Sequence, residues 1–118
     1  MITGIINIKP MSVNEAYTGR RFKTDRYRAY ADLVYWHLRN AVMPAGRIKL
    51  TIDWYVSNLG ADVDNPAKPF IDILQKRYGF NDKNIYQLIL TKKIISKGNE
   101  RIEFKIERYD QEGGTPEV

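Results

Sequence analysis

The sequence predicts an α+β domain in the order β-α-β-α-β-β, with about four strands in a mixed sheet and two helices packed on it. Three observations carry that expectation. "RIKLTIDWYVS" alternates Ile48, Leu50, Ile52, Trp54 and Val56 against Lys49, Thr51, Asp53 and Tyr55, the two-residue period of a half-buried strand. "ERIEFKIERY" repeats the pattern, with Ile102, Phe104 and Ile106 set against Glu103, Lys105 and Glu107. Between and before them lie two segments with helical spacing of apolar residues.

The elements follow in order. "GIINIKP" (4–10) reads as a short strand closed by Pro10. A polar loop, "MSVNEAYTGRRFK", ends in the basic cluster Arg20, Arg21 and Lys23. "TDRYRAYADLVYWHLRNAVM" is the first helix. Thr24 is its N-cap, Asp25 complements the helix dipole, and Pro44 and Gly46 stop it. Its apolar stripe runs Tyr27, Tyr30, Ala31, Val34, Leu38, Ala41, Val42, and that spacing marks the tyrosines as core. "NPAKPFIDILQKRYG" is the second helix, capped by Asp64 or Asn65, with Pro66 in its first turn and Gly79 as its stop. "NIYQLILTKKIIS" and "ERIEFKIERY" then read as a hairpin around "KGN".

With 118 residues the chain makes one domain, residues 1–109, followed by a flexible tail, "DQEGGTPEV", at 110–118. It lacks cysteine, which excludes disulfides, thiolate metal sites and cysteine nucleophiles, and fits a reducing cytoplasm. His37 is the only histidine, expected to be a packed or surface residue, so any metal here would have to be held by oxygen. No apolar run spans a bilayer. The net charge of +5 points to a polyanionic partner.

The chemistry concentrates in "GADVDNPAK". In an extended "ADVD" the side chains of Asp62 and Asp64 project to one side, with Cα atoms about 6.5–7 Å apart. That spacing suits a shared hard cation such as Mg²⁺. A helix N-terminus follows, ready for an anion. Lys68 lies one turn after Asp64, and Asp72 continues the same stripe. A second reading remains: Asp64 is an ordinary cap, and Asp64 with Lys68 an ordinary helix pair. An EF-hand does not fit, because Ala67 and Ile73 stand where its Gly and Glu belong. A glycosyltransferase DxD needs a larger fold. "YGFNDKNIYQL" adds a third acid, Asp82, in the turn after the second helix.

In this arrangement the chain resembles the RusA family of Holliday-junction resolvases. "KPMSVNEAY" is similar to the family's proline-containing "SVN" segment, "DVDNPAKPFIDIL" to its "DxDNxxK…D" signature, and "GFNDKNIYQL" to its acidic turn. The resemblance covers roughly residues 8 to 90. Asn81 stands where many relatives carry a further acid.

The resemblance implies a RusA-like fold in which Asp62, Asp64 and Asp82 coordinate Mg²⁺ (with Mn²⁺ as a substitute). Lys68 is implied as the essential lysine, with Asn65 and Asp72 supporting. It further implies a homodimer, in the cytoplasm of a bacterium or a phage-infected one, that nicks four-way junctions symmetrically and has no small-molecule substrate. A junction is recognised by shape, so DNA contacts go mainly to phosphates. Arg20, Arg21, Lys23, Lys92 and Lys93 are the candidates. Two alternatives stay open: a basic nucleic-acid-binding module without catalysis, and a nuclease of flaps or other branched DNA.

Overall fold

A computed structural model describes residues 1–18 and 22–110. The sheet contains β1 (Ile2–Ile6), β4 (Ile48–Val56), β5 (Ile85–Ile94) and β6 (Arg101–Arg108), in the order β1-β6-β4-β5. The helices are α1 (Val13–Ala16), α2 (Asp25–His37) and α3 (Ala67–Tyr78). Between α1 and α2, the strands β2 (Tyr17–Thr18) and β3 (Phe22–Lys23) pair as a small second sheet. The main sheet is mixed, as expected. The α1 turn and the β2–β3 pair were not legible in the alternation pattern, because both are too short to carry a period.

Alternation decides which face is buried. Ile48, Leu50, Ile52, Trp54 and Val56 of β4 and Ile102, Phe104 and Ile106 of β6 all point into the core. They meet Phe70, Ile73 and Leu74 of α3, and Tyr27, Tyr30 and Val34 of α2 join the same cluster. Phe70 stands edge-on to Trp54 and to Phe104, with ring centroids 5.6 and 5.7 Å apart. The Phe104 ring also lies over Gly4, its partner across β1 and β6, where an added Cβ would come within 2.8 Å of Cζ. A side chain at position 4 would displace that ring.

Three expectations are corrected. First, β5 and β6 are not a hairpin: β4 lies between them, parallel to β5 and antiparallel to β6. The connector is too long for a tight turn and crosses the end of β4, where the Ile95 amide donates to the Val56 carbonyl at 2.9 Å. Second, α2 stops at His37, so Ala41 and Val42 are exposed rather than on a buried stripe. Leu38 turns extended, and tertiary donors replace the missing helical turn. Tyr78 Oη donates to the Arg39 carbonyl at 2.8 Å, and Arg77 donates to Asn40 Oδ1 at 2.9 Å. Third, neither Asp64 nor Asn65 caps α3 with its side chain; the cap position is Pro66, without a side-chain hydrogen bond. At the other end Gly79, at φ 72°, closes α3 in the left-handed region, as expected.

β4, α3 and β5 form a parallel crossover. Residues 57–66 therefore leave the C-terminal end of β4, while residues 79–84 enter the N-terminal end of β5. The 12 residues of α3 separate these two connections by about 18 Å.

Candidate active site

Asp62 and Asp64 sit in the connection from β4 to α3. Neither carboxylate has a hydrogen-bond or ion-pair partner among the described residues, and the same holds for Asp82 (and for Asp32 and Asp110). Contrast the acids used structurally: Asp53 pairs with Lys93 at 3.2 Å, Glu15 with Arg26 at 2.8 Å and Glu103 with Arg101 at 2.7 Å. Asp62 and Asn65 line one depression with Ser12, Ser57 and Lys9.

The loop itself is held firmly. Asn58 Oδ1 accepts from the Gly60 amide at 2.9 Å, and the Ala61 amide donates to the Asn58 carbonyl at 3.2 Å. Ser57 Oγ donates to Glu100 Oε2 at 2.8 Å. Lys92 Nζ donates to the carbonyls of Leu59 and Ala61, both at 2.8 Å. The Val13 amide donates to the Asn65 carbonyl at 3.1 Å. That last bond joins the "SVN" segment to the "DxDN" segment. "SVNE" itself is a capping box, in which Ser12 and Glu15 bond each other's backbone amides and start α1.

Lys68 and Asp72 share one flank of α3, their charges 3.6 Å apart. Asp72 also accepts a 2.8 Å hydrogen bond from Tyr17 Oη, and Lys68 Nζ lies 5.6 Å from the centre of the Tyr17 ring. Burial pushes the Tyr17 hydroxyl well above its ordinary range, and its bond to Asp72 adds to the effect, so Tyr17 stays a neutral donor. Tyr27, stacked on Tyr17, is pushed up to about 12, chiefly by burial and then by the charge of Asp72. Lys68 nonetheless keeps 64% of its side chain exposed, so its ammonium is open to a ligand.

Asp82 opens a single 3₁₀ turn (Asp82–Asn84), where Asn81 Oδ1 caps the Lys83 amide at 3.0 Å. It lines a groove between α3 and β5 together with Lys68, Asp72, Gln75, Tyr86 and Leu88. The groove links the lysine to the third acid, but the parallel crossover sets Asp82 at the far end of α3 from Asp62 and Asp64. Among the described residues, no group of three His, Cys, Asp or Glu side chains could hold a metal ion.

The basic candidates divide. Arg20 and Arg21 lie outside the described residues. Lys23 is exposed, 5.2 Å above the Tyr27 ring. Lys93 is tied to Asp53, which raises its pKa, and Lys92 is turned toward the acidic loop. His37 is exposed, its Nδ1 2.7 Å from the Leu33 carbonyl.

Residues 8–107 match the family described as Endodeoxyribonuclease RusA. The chain belongs to the RusA family. No curated protein matches it. This RusA-family chain is therefore an enzyme of the endodeoxyribonuclease class, and the matched span contains the "SVN", "DxDN" and "ND" segments together. Among its described residues, no helix is long and apolar enough to cross a membrane.

The three candidate acids of this RusA-family chain offer only oxygen, the ligand chemistry a hard divalent cation takes. Two unpartnered carboxylates stand on one fastened loop and a third faces an open groove, with oxygen the only ligand type. Sequence reasoning missed Tyr17, Ser57 and Glu100, whose partners are distant in the chain. It also did not foresee that Lys92 bonds the carbonyls of Leu59 and Ala61, which lie more than thirty residues before it in the chain.

Proposed function

We propose that this chain is a Mg²⁺-dependent, structure-specific endonuclease that resolves four-way DNA junctions by paired symmetric nicks, in recombination and repair. Mn²⁺ substitutes for Mg²⁺, and the site of action is the cytoplasm of a bacterium, in a cellular or phage-encoded role. Membership of the RusA family supports the reaction class. One observation of the structure carries the assignment of residues. Asp64 precedes α3 but its side chain makes no capping bond, which leaves the carboxylate oxygens open to an ion.

The ligands are Asp62, Asp64 and Asp82, with Asn65 and Asp72 supporting. When bound, Mg²⁺ supplies charge stabilisation at the scissile phosphate and an activated water. Hydrolysis breaks the bond between phosphorus and the 3′ oxygen, leaving a 5′-phosphate and a 3′-hydroxyl. Lys68 places its exposed ammonium where negative charge builds on the phosphate or the departing oxygen. Asp72 and Tyr17 limit where that ammonium can swing. Arg20, Arg21 and Lys23 contact phosphates around the junction.

The parallel crossover puts one requirement on this reading. A site using all three acids takes Asp62 and Asp64 from one protomer and Asp82 from the partner subunit. A homodimer meets that requirement if its two-fold axis crosses the length of α3 and β5, because the two ends then exchange places. Among the described residues the outer edge of β5 is unpaired, and the strand carries Tyr86, Leu88 and Ile94 at least 43% exposed, a surface suited to such a contact.

The test is cleavage of a four-way junction in Mg²⁺ by the wild type and by Asp64→Asn. The variant is expected to bind the junction and leave it uncut. Undiminished cleavage by the variant would remove Asp64 from the mechanism. Faster cutting of flaps than of junctions by the wild type would favour the other branched substrate.

A further inference from the structure

We infer that Lys92 is a positioning residue for the acidic loop rather than a DNA contact, an inference that rests on the nuclease reading given above. Lys92 lies on β5 opposite Trp54 of β4, in register with Leu90 opposite Ile52 and Ile94 opposite Val56. Those β4 partners all face the core. An apolar side chain would satisfy that position, and a lysine there must bring its ammonium to acceptors. It does so by reaching up from the sheet into the loop that leaves β4, donating to the carbonyls of Leu59 and Ala61 at 2.8 Å each. Ala61 immediately precedes Asp62.

The geometry explains why this cation is on the sheet. Residues 57–63 belong to no helix or strand, and one ammonium donates to two of their carbonyls at once. Charge-assisted bonds of this kind are stronger than neutral ones. They fix the backbone just before Asp62, so the two carboxylates keep their mutual spacing before any ion arrives. The adjacent Lys93 has the opposite fate, pointing to the other face of the sheet and pairing with Asp53. The "KK" pair at 92–93 is thus divided between two structural duties.

The inference is tested on the full-length protein with Lys92→Met, which keeps the apolar stem and removes the donor, alongside Lys92→Arg and Asp64→Asn. Three quantities are read: amide hydrogen exchange in metal-free protein, Mn²⁺ binding, and junction binding without metal across a salt series. Lys92→Met is expected to speed exchange in residues 59–64 while β6 keeps its protection. It should weaken Mn²⁺ binding by about 10–100-fold, the usual effect of losing a group that orients metal ligands. Junction affinity and its salt slope should match the wild type, and Lys92→Arg should recover part of the metal affinity.

Unchanged loop exchange and Mn²⁺ affinity would overturn the inference. So would a fall in junction affinity with a salt slope shallower by about one, the mark of a lost phosphate contact. If the wild type and Asp64→Asn bind Mn²⁺ equally, the metal reading fails instead, and loop exchange alone still decides the role of Lys92. If Lys92→Met does not fold, Lys92→Gln serves in the same three measurements.

Discussion

The two ends of the β4–α3–β5 crossover are built differently. At the end that carries Asp62 and Asp64, the connection is fastened from outside by β5 through Lys92, by Glu100 through Ser57, and by α1 through the Asn65 carbonyl. At the end that carries Asp82, the turn holds itself: Asn81 caps the Lys83 amide, and its carbonyl accepts from Asn84. A pair of ligands has an internal geometry to maintain, so its loop needs several anchors. A single ligand needs only to be presented, and one local cap suffices. The proposed site, a fixed pair and a third acid delivered by the partner subunit, asks for this contrast.

The largest expected effect tests whether both ends serve one site. Asp82→Asn should lose junction cleavage as completely as Asp64→Asn, with junction binding kept in both. If Asp82→Asn cuts at the wild-type rate, the far end of α3 has no part in the chemistry. Next comes Lys68→Met, expected to slow single-turnover cleavage by about 10²–10³-fold, the usual loss for one electrostatic donor to a developing charge. A much smaller loss, with weaker junction binding instead, would make Lys68 a binding group only.

Smaller effects separate the two kinds of anchoring. Asn81→Ala removes the only side-chain cap of the Asp82 turn and should cost about 1 kcal/mol in a denaturant melt. Exchange should speed up locally at residues 82–84, and spread of that change into 57–66 would contradict the independence of the two ends. The mildest effect concerns pH. The Glu100 carboxyl is held below its usual value, first by Ser57 Oγ. Its contribution to stability is therefore present above the ordinary carboxyl value of 4.5 and fades as pH falls through the lowered folded-state value. Thermal melts should show Ser57→Ala below the wild type at neutral pH, with the gap closing in acid. A gap that widens in acid would exclude this bond as its source.

Much of the fold could be read in the sequence because β4 and β6 alternate cleanly and α3 has a stop glycine. The strand order could not. Alternation tells which face of a strand is buried but nothing of its neighbours, so the segment around "KGN" passed for a hairpin turn when the connector (95–100) crosses β4. The end of α2 was misplaced for a related reason. Helical spacing continues to Val42, but Arg77 and Tyr78 satisfy the backbone after Leu38 from another helix. The candidate acids and lysine were chosen from residue type and spacing. What the sequence could not convey was distance: Asp62 and Asp64 are neighbours in the chain, whereas Asp82 is separated from them by a full helix and a parallel crossover. The Tyr17–Asp72 bond joins residues 55 apart in sequence and left no local sign.

The most direct test of a divided ligand set is complementation. Asp64→Asn and Asp82→Asn proteins would be mixed under conditions that exchange subunits, then assayed on a labelled junction in Mg²⁺. A mixed dimer brings the intact Asp62 and Asp64 of one chain to the intact Asp82 of the other, so one of its two sites is whole. The mixture is expected to regain cutting, as single rather than paired nicks, while each variant alone stays inactive. A mixture as inactive as its parts, with subunit exchange verified, would contradict the divided ligand set.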